Sequence, residues 1–196
     1  MIMIEKVDSD ILSFLRAIYF GSYTNLYKAA SSRAYLDMNR TIRFKGLDEE
    51  CRSNLRKYID EKLEKAIKEL SVFSQEEYDV WHKNLCLDIQ RSYERAGVDF
   101  TIGQSQKWVN MTIQYLYMLG ANTFDGVFQY FHVPIDNYVF DIAQKVLGIK
   151  RPKIAWSRWK SYDNQYMEYQ KQLRSKIDMD PLRWEFKYWL LEARNR

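Results

Sequence analysis

Residues Leu47–Leu70, LDEECRSNLRKYIDEKLEKAIKEL, decide the fold class. Apolar side chains return every three or four positions, at Leu47, Cys51, Leu55, Ile59, Leu63, Ile67 and Leu70, which is the period of one helix face. Glu49 and Glu50 suit the positive N-terminal end, so a long amphipathic helix is expected from Asp48 onward. Toward the C-terminus, Ser74 and Glu77 have capping-box spacing and open a helix with Tyr78, Trp81, Leu85, Ile89 and Tyr93 on its buried stripe, ended by Gly97. Further helices are expected over about 104–119 and from Pro134 to Leu147, with a loop over 120–132 between them. Two more are expected at the C-terminal end, along Tyr162, Tyr166, Tyr169, Leu173 and Ile177, then from Asp180-Pro181 through Leu182, Phe186, Trp189 and Ala193. Toward the N-terminus, Ile11, Leu12, Leu15, Ile18 and Tyr19 share a stripe, after which Gly21 and a Ser/Thr/Asn-rich stretch break the pattern.

The composition agrees. With 196 residues, 46% hydrophobic and 16% aromatic, the chain suits one globular domain over 1–196, or two small helical lobes sharing a cleft, and excludes general disorder. Seven Gly and three Pro are too few for the tight turns of a sandwich or barrel, so an all-α fold is expected. The 30 Lys and Arg against 26 Asp and Glu leave +4, which permits an anionic partner without demanding one. Cys51 and Cys86 have no C-x-x-C spacing, so neither zinc nor an iron–sulfur cluster is expected, and reduced thiols fit a cytoplasmic protein. Glu5, Asp8 and Asp10 do not fit a signal peptide, and no stretch approaches a membrane span. His82 and His132 lack a partner at ligand spacing and read as structural, and no Ser-His-Asp, P-loop or dinucleotide fingerprint is present.

Two segments carry chemistry. Residues 97–111, GVDFTIGQSQKWVNM, read as a turn entering a helix, where backbone N–H groups around Gly103 and Ser105 are placed to hold a phosphate. Lys107 is expected in the first helical turn, where the positive end of the dipole favours a neutral, nucleophilic amine. Residues 132–145, HVPIDNYVFDIAQK, place Asp136 at a helix start, either as a plain capping carboxylate or as a group with a chemical role. From Ile142 to Tyr162 the chain is basic without an acid, containing Lys145, Lys150, Arg151, Lys153, Arg158 and Lys160. This stretch reads either as a phosphate-binding face or as a solvated one. Trp156 and Trp159 within it suit base stacking or packing between helices.

Together these segments resemble the helix-hairpin-helix DNA glycosylase superfamily of endonuclease-III-type and 8-oxoguanine enzymes. Gly103-Gln104-Ser105-Gln106-Lys107 is similar to the family's G-x-G-x-K hairpin, with Ser105 in place of the second glycine. Val133-Pro134-Ile135-Asp136 followed by Ile142-Ala143-Gln144-Lys145 parallels its V-D element and the following I-A-Q-R. The resemblance covers about 97–149 and lacks the four-cysteine cluster, as in cluster-free members. It implies two helical lobes around a cleft with a helix-hairpin-helix element, acting as a monomer without cofactor on double-stranded DNA that carries a damaged or modified base. Lys107 is then the nucleophile and Asp136 its activator in a glycosylase and AP lyase, with 8-oxoguanine the first substrate to consider. Gly103, Ser105, Lys145, Lys150, Arg151 and Lys153 would bind DNA, and Trp108 and Met111 would border the base pocket. A catalytically silent helical DNA-binding module and a helical protein adaptor are the alternatives.

Overall fold

The computed structural model describes residues 8–21 and 24–194. Among these there are eight α-helices and no strand, so the chain is all-α. The helices are α1 (Ser9–Phe20), α2 (Leu26–Met38), α3 (Glu49–Lys68), α4 (Gln75–Arg95), α5 (Ile102–Met118), α6 (Asn137–Leu147), α7 (Glu168–Arg174) and α8 (Pro181–Ala193). Ser74 caps α4 as its spacing predicts, and Asp48 caps α3. Among the described residues no helix is long and apolar enough to cross a membrane, and Cys51 and Cys86 are both free.

The fold is organised around α5, in which every residue from Ile102 to Leu116 is buried. Helix α2 packs along it through Ala29, Ala30, Ser31 and Ala34, small side chains that let the two backbones approach closely. Because that face carries almost no hydrophobic periodicity, α2 falls in a stretch whose sequence predicts a break. Helix α1 forms as expected, but Ile11, Leu12, Leu15 and Ile18 on its stripe are exposed. The contacts of α1 with the body come from its end, where Tyr19 and Phe20 pack edge-on against Tyr115.

Two boundaries differ from the expected ones. Helix α5 begins at Ile102 because Thr101 and Gln104 close a capping box there. Pro134 does not open a helix. It lies in a stretch without regular secondary structure, and α6 starts at Asn137 behind the cap Asp136. The stripe beginning at Tyr162 is not a simple helix either, since residues 162–167 make a π-helical turn before α7.

The start of α5 is sealed by the loop after α6. Gly103 N donates to Trp159 O at 3.0 Å, and Thr101 Oγ1 donates to Ser157 O at 3.0 Å. A Cβ on Gly103 would fall 1.7 Å from the Trp156 carbonyl oxygen, so only glycine admits this approach. Gly103→Ala should therefore destabilise the protein by roughly 1–3 kcal/mol, the usual range for overpacking, or more. A thermal melt should show the midpoint falling by about 3–10 °C. An unchanged midpoint would contradict the close approach.

Candidate functional site

Asp136 is held in place by the segment before it, residues 133–135, which is pinned by two side-chain amides acting as strand-like partners. Gln106 accepts from Ile135 N at 3.1 Å and donates to Ile135 O at 2.9 Å, while Gln170 accepts from Val133 N and donates to Val133 O. Asn110 donates to both Gln106 Oε1 and Tyr166 Oη, tying this clamp to the π-helical turn. The clamp delivers Asp136 to the side of α5 that carries Lys107. Asp136 Oδ1 accepts from Val139 N at 2.9 Å and caps α6, while Oδ2 accepts from Lys107 Nζ at 2.8 Å. The capping and chemical roles thus use different oxygens. Lys107 is the sixth residue of α5, past the first turn where it was expected. Its charged head therefore answers to Asp136 more than to the helix end.

This pair opens on a pocket of about 700 Å³. Lys107, Met111, Gln114 and Tyr115 line it from α5, Asn137 and Tyr138 from the start of α6, Trp156 from the sealing loop, and Glu185, Phe186, Trp189 and Leu190 from α8. Arg33, Asp37 and Arg40 flank its far side, with Tyr19. A part-buried ion pair, facing aromatics and a few convergent polar groups in a concavity of this size are the usual marks of a ligand site. A second hollow of about 530 Å³ between α3 and α4 is walled by exposed groups such as Lys65, Glu69 and Asp88 and has no comparable buried cluster.

Glu185 was not anticipated. It is 3% exposed and faces Lys107 and Asp136, and its Oε2 has no hydrogen-bond partner; neither has the buried Oε1 of Gln114. Burial raises the Glu185 carboxyl, Lys107 and Gln114 oppose this and Asp136 adds to it, and the net result is about 8. At neutral pH it is therefore largely a neutral acid. A charged residue on the last helix reads in sequence as solvated surface, so no pattern marked it.

Several expected site residues lie elsewhere. Trp108 is fully buried in the core, tilted against Tyr35 and donating to Ser31, and it does not line the pocket; Met111 does. Gly103 and Ser105 are buried, with Gly103 N bonded to Trp159 O and Ser105 N and Oγ to Thr101 O, so these donors serve the protein and not a phosphate. In the basic stretch, Lys145 pairs with Glu192, Arg151 with Asp141 and Asn137, and Lys160 with Asp99. Lys150 and Lys153 are exposed. Trp159 is core, whereas Trp156 reaches the pocket wall.

Both histidines are buried in a polar network. His82 joins Tyr162 and Asn110, and His132 joins Tyr166 and Asp79, where Arg174 also binds. Burial lowers the proton affinity of both, taking His132 to about 4. Asp79 is pushed upward by burial, but hydrogen bonds from His132 and Arg174 outweigh this and hold it well below the carboxylate range. Among the described residues, no group of three His, Cys, Asp or Glu side chains is placed to hold a metal ion.

Comparison with family models, with curated proteins and with solved structures finds no match to this chain.

A carboxyl that titrates near 8 when folded and at its ordinary acidic value when unfolded stabilises the fold at low pH and loses that contribution as pH rises through 8. Glu185→Gln removes the loss. The variant's melting temperature relative to the wild type should therefore climb steadily between pH 5 and pH 8, and a pH-independent difference would show that Glu185 is not held neutral.

Proposed function

We propose that the protein is a DNA glycosylase with an associated AP lyase step, acting as a cytoplasmic monomer on double-stranded DNA that carries an oxidised or otherwise modified base, 8-oxoguanine first. The observation that carries this reading is the 2.8 Å contact of Lys107 Nζ with Asp136 Oδ2 on the wall of an aromatic pocket of about 700 Å³. The two residues singled out by the hairpin and V-P-I-D resemblance, 29 positions apart in the chain, converge on one concave site.

In this reading the damaged nucleotide is flipped into the pocket, since its sugar carbon is out of reach within the duplex. Asp136 accepts a proton from the Lys107 ammonium, and the freed amine lone pair bonds to C1′ of the deoxyribose. The glycosidic electron pair departs with the base, which takes a proton from water. Opening of the sugar ring then leaves a Schiff base on Lys107, from which the 3′ phosphate can be lost by β-elimination. Once it has passed its proton through water to the departing base, Asp136 is ionised again and offsets the positive charge of the sugar-bound intermediate. Trp156, Trp189 and Tyr138 supply ring faces for the base.

The hairpin phosphate contacts fall away from this account, because the Gly103 and Ser105 donors are occupied. Backbone anchoring rests instead on Lys150 and Lys153 after α6 and on Arg40 at the pocket, all exposed. Lys150→Ala with Lys153→Ala should weaken binding to duplexes of any sequence. It should also lower the slope of log K against log salt by about 2, read from fluorescence anisotropy at several salt concentrations. An unaltered slope places the DNA elsewhere.

Borohydride trapping on lesion-bearing and abasic duplexes tests the chemistry. A covalent adduct that disappears in Lys107→Ala is expected, and the absence of adduct with every substrate would overturn the reading. Asp136→Asn keeps an oxygen for the α6 cap, so the fold should survive while single-turnover base excision falls by about 10²-fold or more. Excision at the wild-type rate would remove Asp136 from the chemistry.

A further inference from the structure

Three polar atoms of residues lining the pocket are buried and unpartnered, Arg33 Nε on its far side and, at the Lys107 end, Glu185 Oε2 on α8 and Gln114 Oε1 on α5. An orphaned polar atom costs free energy that a native structure rarely tolerates without a reason, and the two at the Lys107 end point to a ligand that satisfies both. Gln114 and Glu185 are neighbours, and the Gln114 side chain acts on the Glu185 carboxyl against the effect of its burial. Because the Glu185 carboxyl stays protonated at neutral pH, its free oxygen offers an O–H donor, whereas the Gln114 oxygen offers an acceptor.

We propose that Glu185 and Gln114 form the specificity-determining edge of the pocket and read a planar heterocycle that sets a carbonyl next to a ring N–H, the edge of a lactam. The carbonyl accepts from Glu185 and the ring N–H donates to Gln114. Trp156 and Trp189 bound the same space and suit a flat ring. Lys107 and Asp136 cancel each other's charge, so the pocket selects neither a cation nor an anion at this end, and a neutral base fits. This deepens the glycosylase reading and rests on it in taking a nucleobase as the occupant. It narrows the substrates to lactam-bearing bases such as oxidised or deaminated purines. An ionised carboxylate would instead favour an edge of two donors.

The test is a titration of the protein at pH 7 with the deaminated purine nucleoside 2′-deoxyinosine, which has a single ring N–H beside its carbonyl, and with its 1-methyl derivative, in which that N–H is blocked. Intrinsic tryptophan fluorescence is the readout, since Trp156 and Trp189 line the site. Saturable binding of the unmodified nucleoside is expected. Methylation should weaken it by about tenfold or more, as expected when a buried acceptor loses its donor. Glu185→Leu should weaken it similarly, while Glu185→Gln, which retains a donor, should stay within about threefold of wild type. Equal binding of the methylated nucleoside to the unaltered protein, or no saturable binding of the parent, overturns the proposal without depending on how any variant folds. Borohydride trapping of wild-type protein on an abasic duplex involves no base. Failure there removes the Lys107 chemistry and leaves the titration to stand or fall by itself.

Discussion

A helix buried on every side has no solvated face to receive its polar residues, and α5 carries Gln104, Ser105, Gln106, Lys107, Asn110, Thr112 and Gln114 within its buried length. Each of these must find a partner inside the protein or leave a costly orphan. That requirement recruits much of the surrounding structure. Gln104 reaches Thr41 after α2, Gln106 clamps the segment ahead of α6, Asn110 ties the π-helical turn and His82, and Lys107 takes Asp136. The charged pair is the most demanding of these contacts, because removing either partner strands the other in a poorly solvated place.

How far the sequence discloses this depends on whether a residue's role is local. The caps Asp48, Ser74 and Asp136 act within one turn; the capping-box spacing marks Ser74 and the helix start marks Asp136 as one of its two readings, while Asp48 is marked only as the point where its helix begins. The amphipathic α3 is equally plain, since its apolar period reports a face that packs on its neighbours. Helix α2 is hidden because four of the six residues it buries are Ala or Ser, small side chains that allow a close approach and leave little hydrophobic period beside Tyr35 and Met38. The stripe of α1 is readable as a helix, but periodicity does not say what covers it, and it stands exposed. Gly103 shows the same limit in a motif. A glycine ahead of a helix suits a phosphate turn and a tight backbone crossing alike, and here the crossing with Trp156 accounts for it.

The pocket was half legible. Lys107 and Asp136 stand out because their residue types, helix positions and motif context agree, and Met111 follows from lying one turn beyond Lys107 on α5. The opposite wall comes from α8 and from the loop 155–159, more than forty residues beyond Lys107, where no spacing rule reaches. Glu185 shows why. Acids on a terminal helix are nearly always solvated, and only the packing of α8 over α5 and α6 turns this one into a buried, neutral group.

That neutrality has a consequence for the division of labour in the site. With Glu185 protonated, the pocket floor holds one cation and one anion in contact and no surplus charge, whereas ionised Glu185 would leave a net negative floor that repels the phosphates of an approaching strand. The positive groups sit outside this floor, on Arg33 and Arg40 at its flank and on Lys150 and Lys153 beyond it. Attraction for a polyanion and discrimination of a neutral ring are thereby carried by different residues. Salt screens exposed charges over roughly a Debye length but leaves buried hydrogen bonds nearly untouched. On the glycosylase reading, raising the ionic strength should therefore weaken attachment to DNA while leaving the preference among bases unchanged, because the groups that choose the base are the ones solvent ions do not reach.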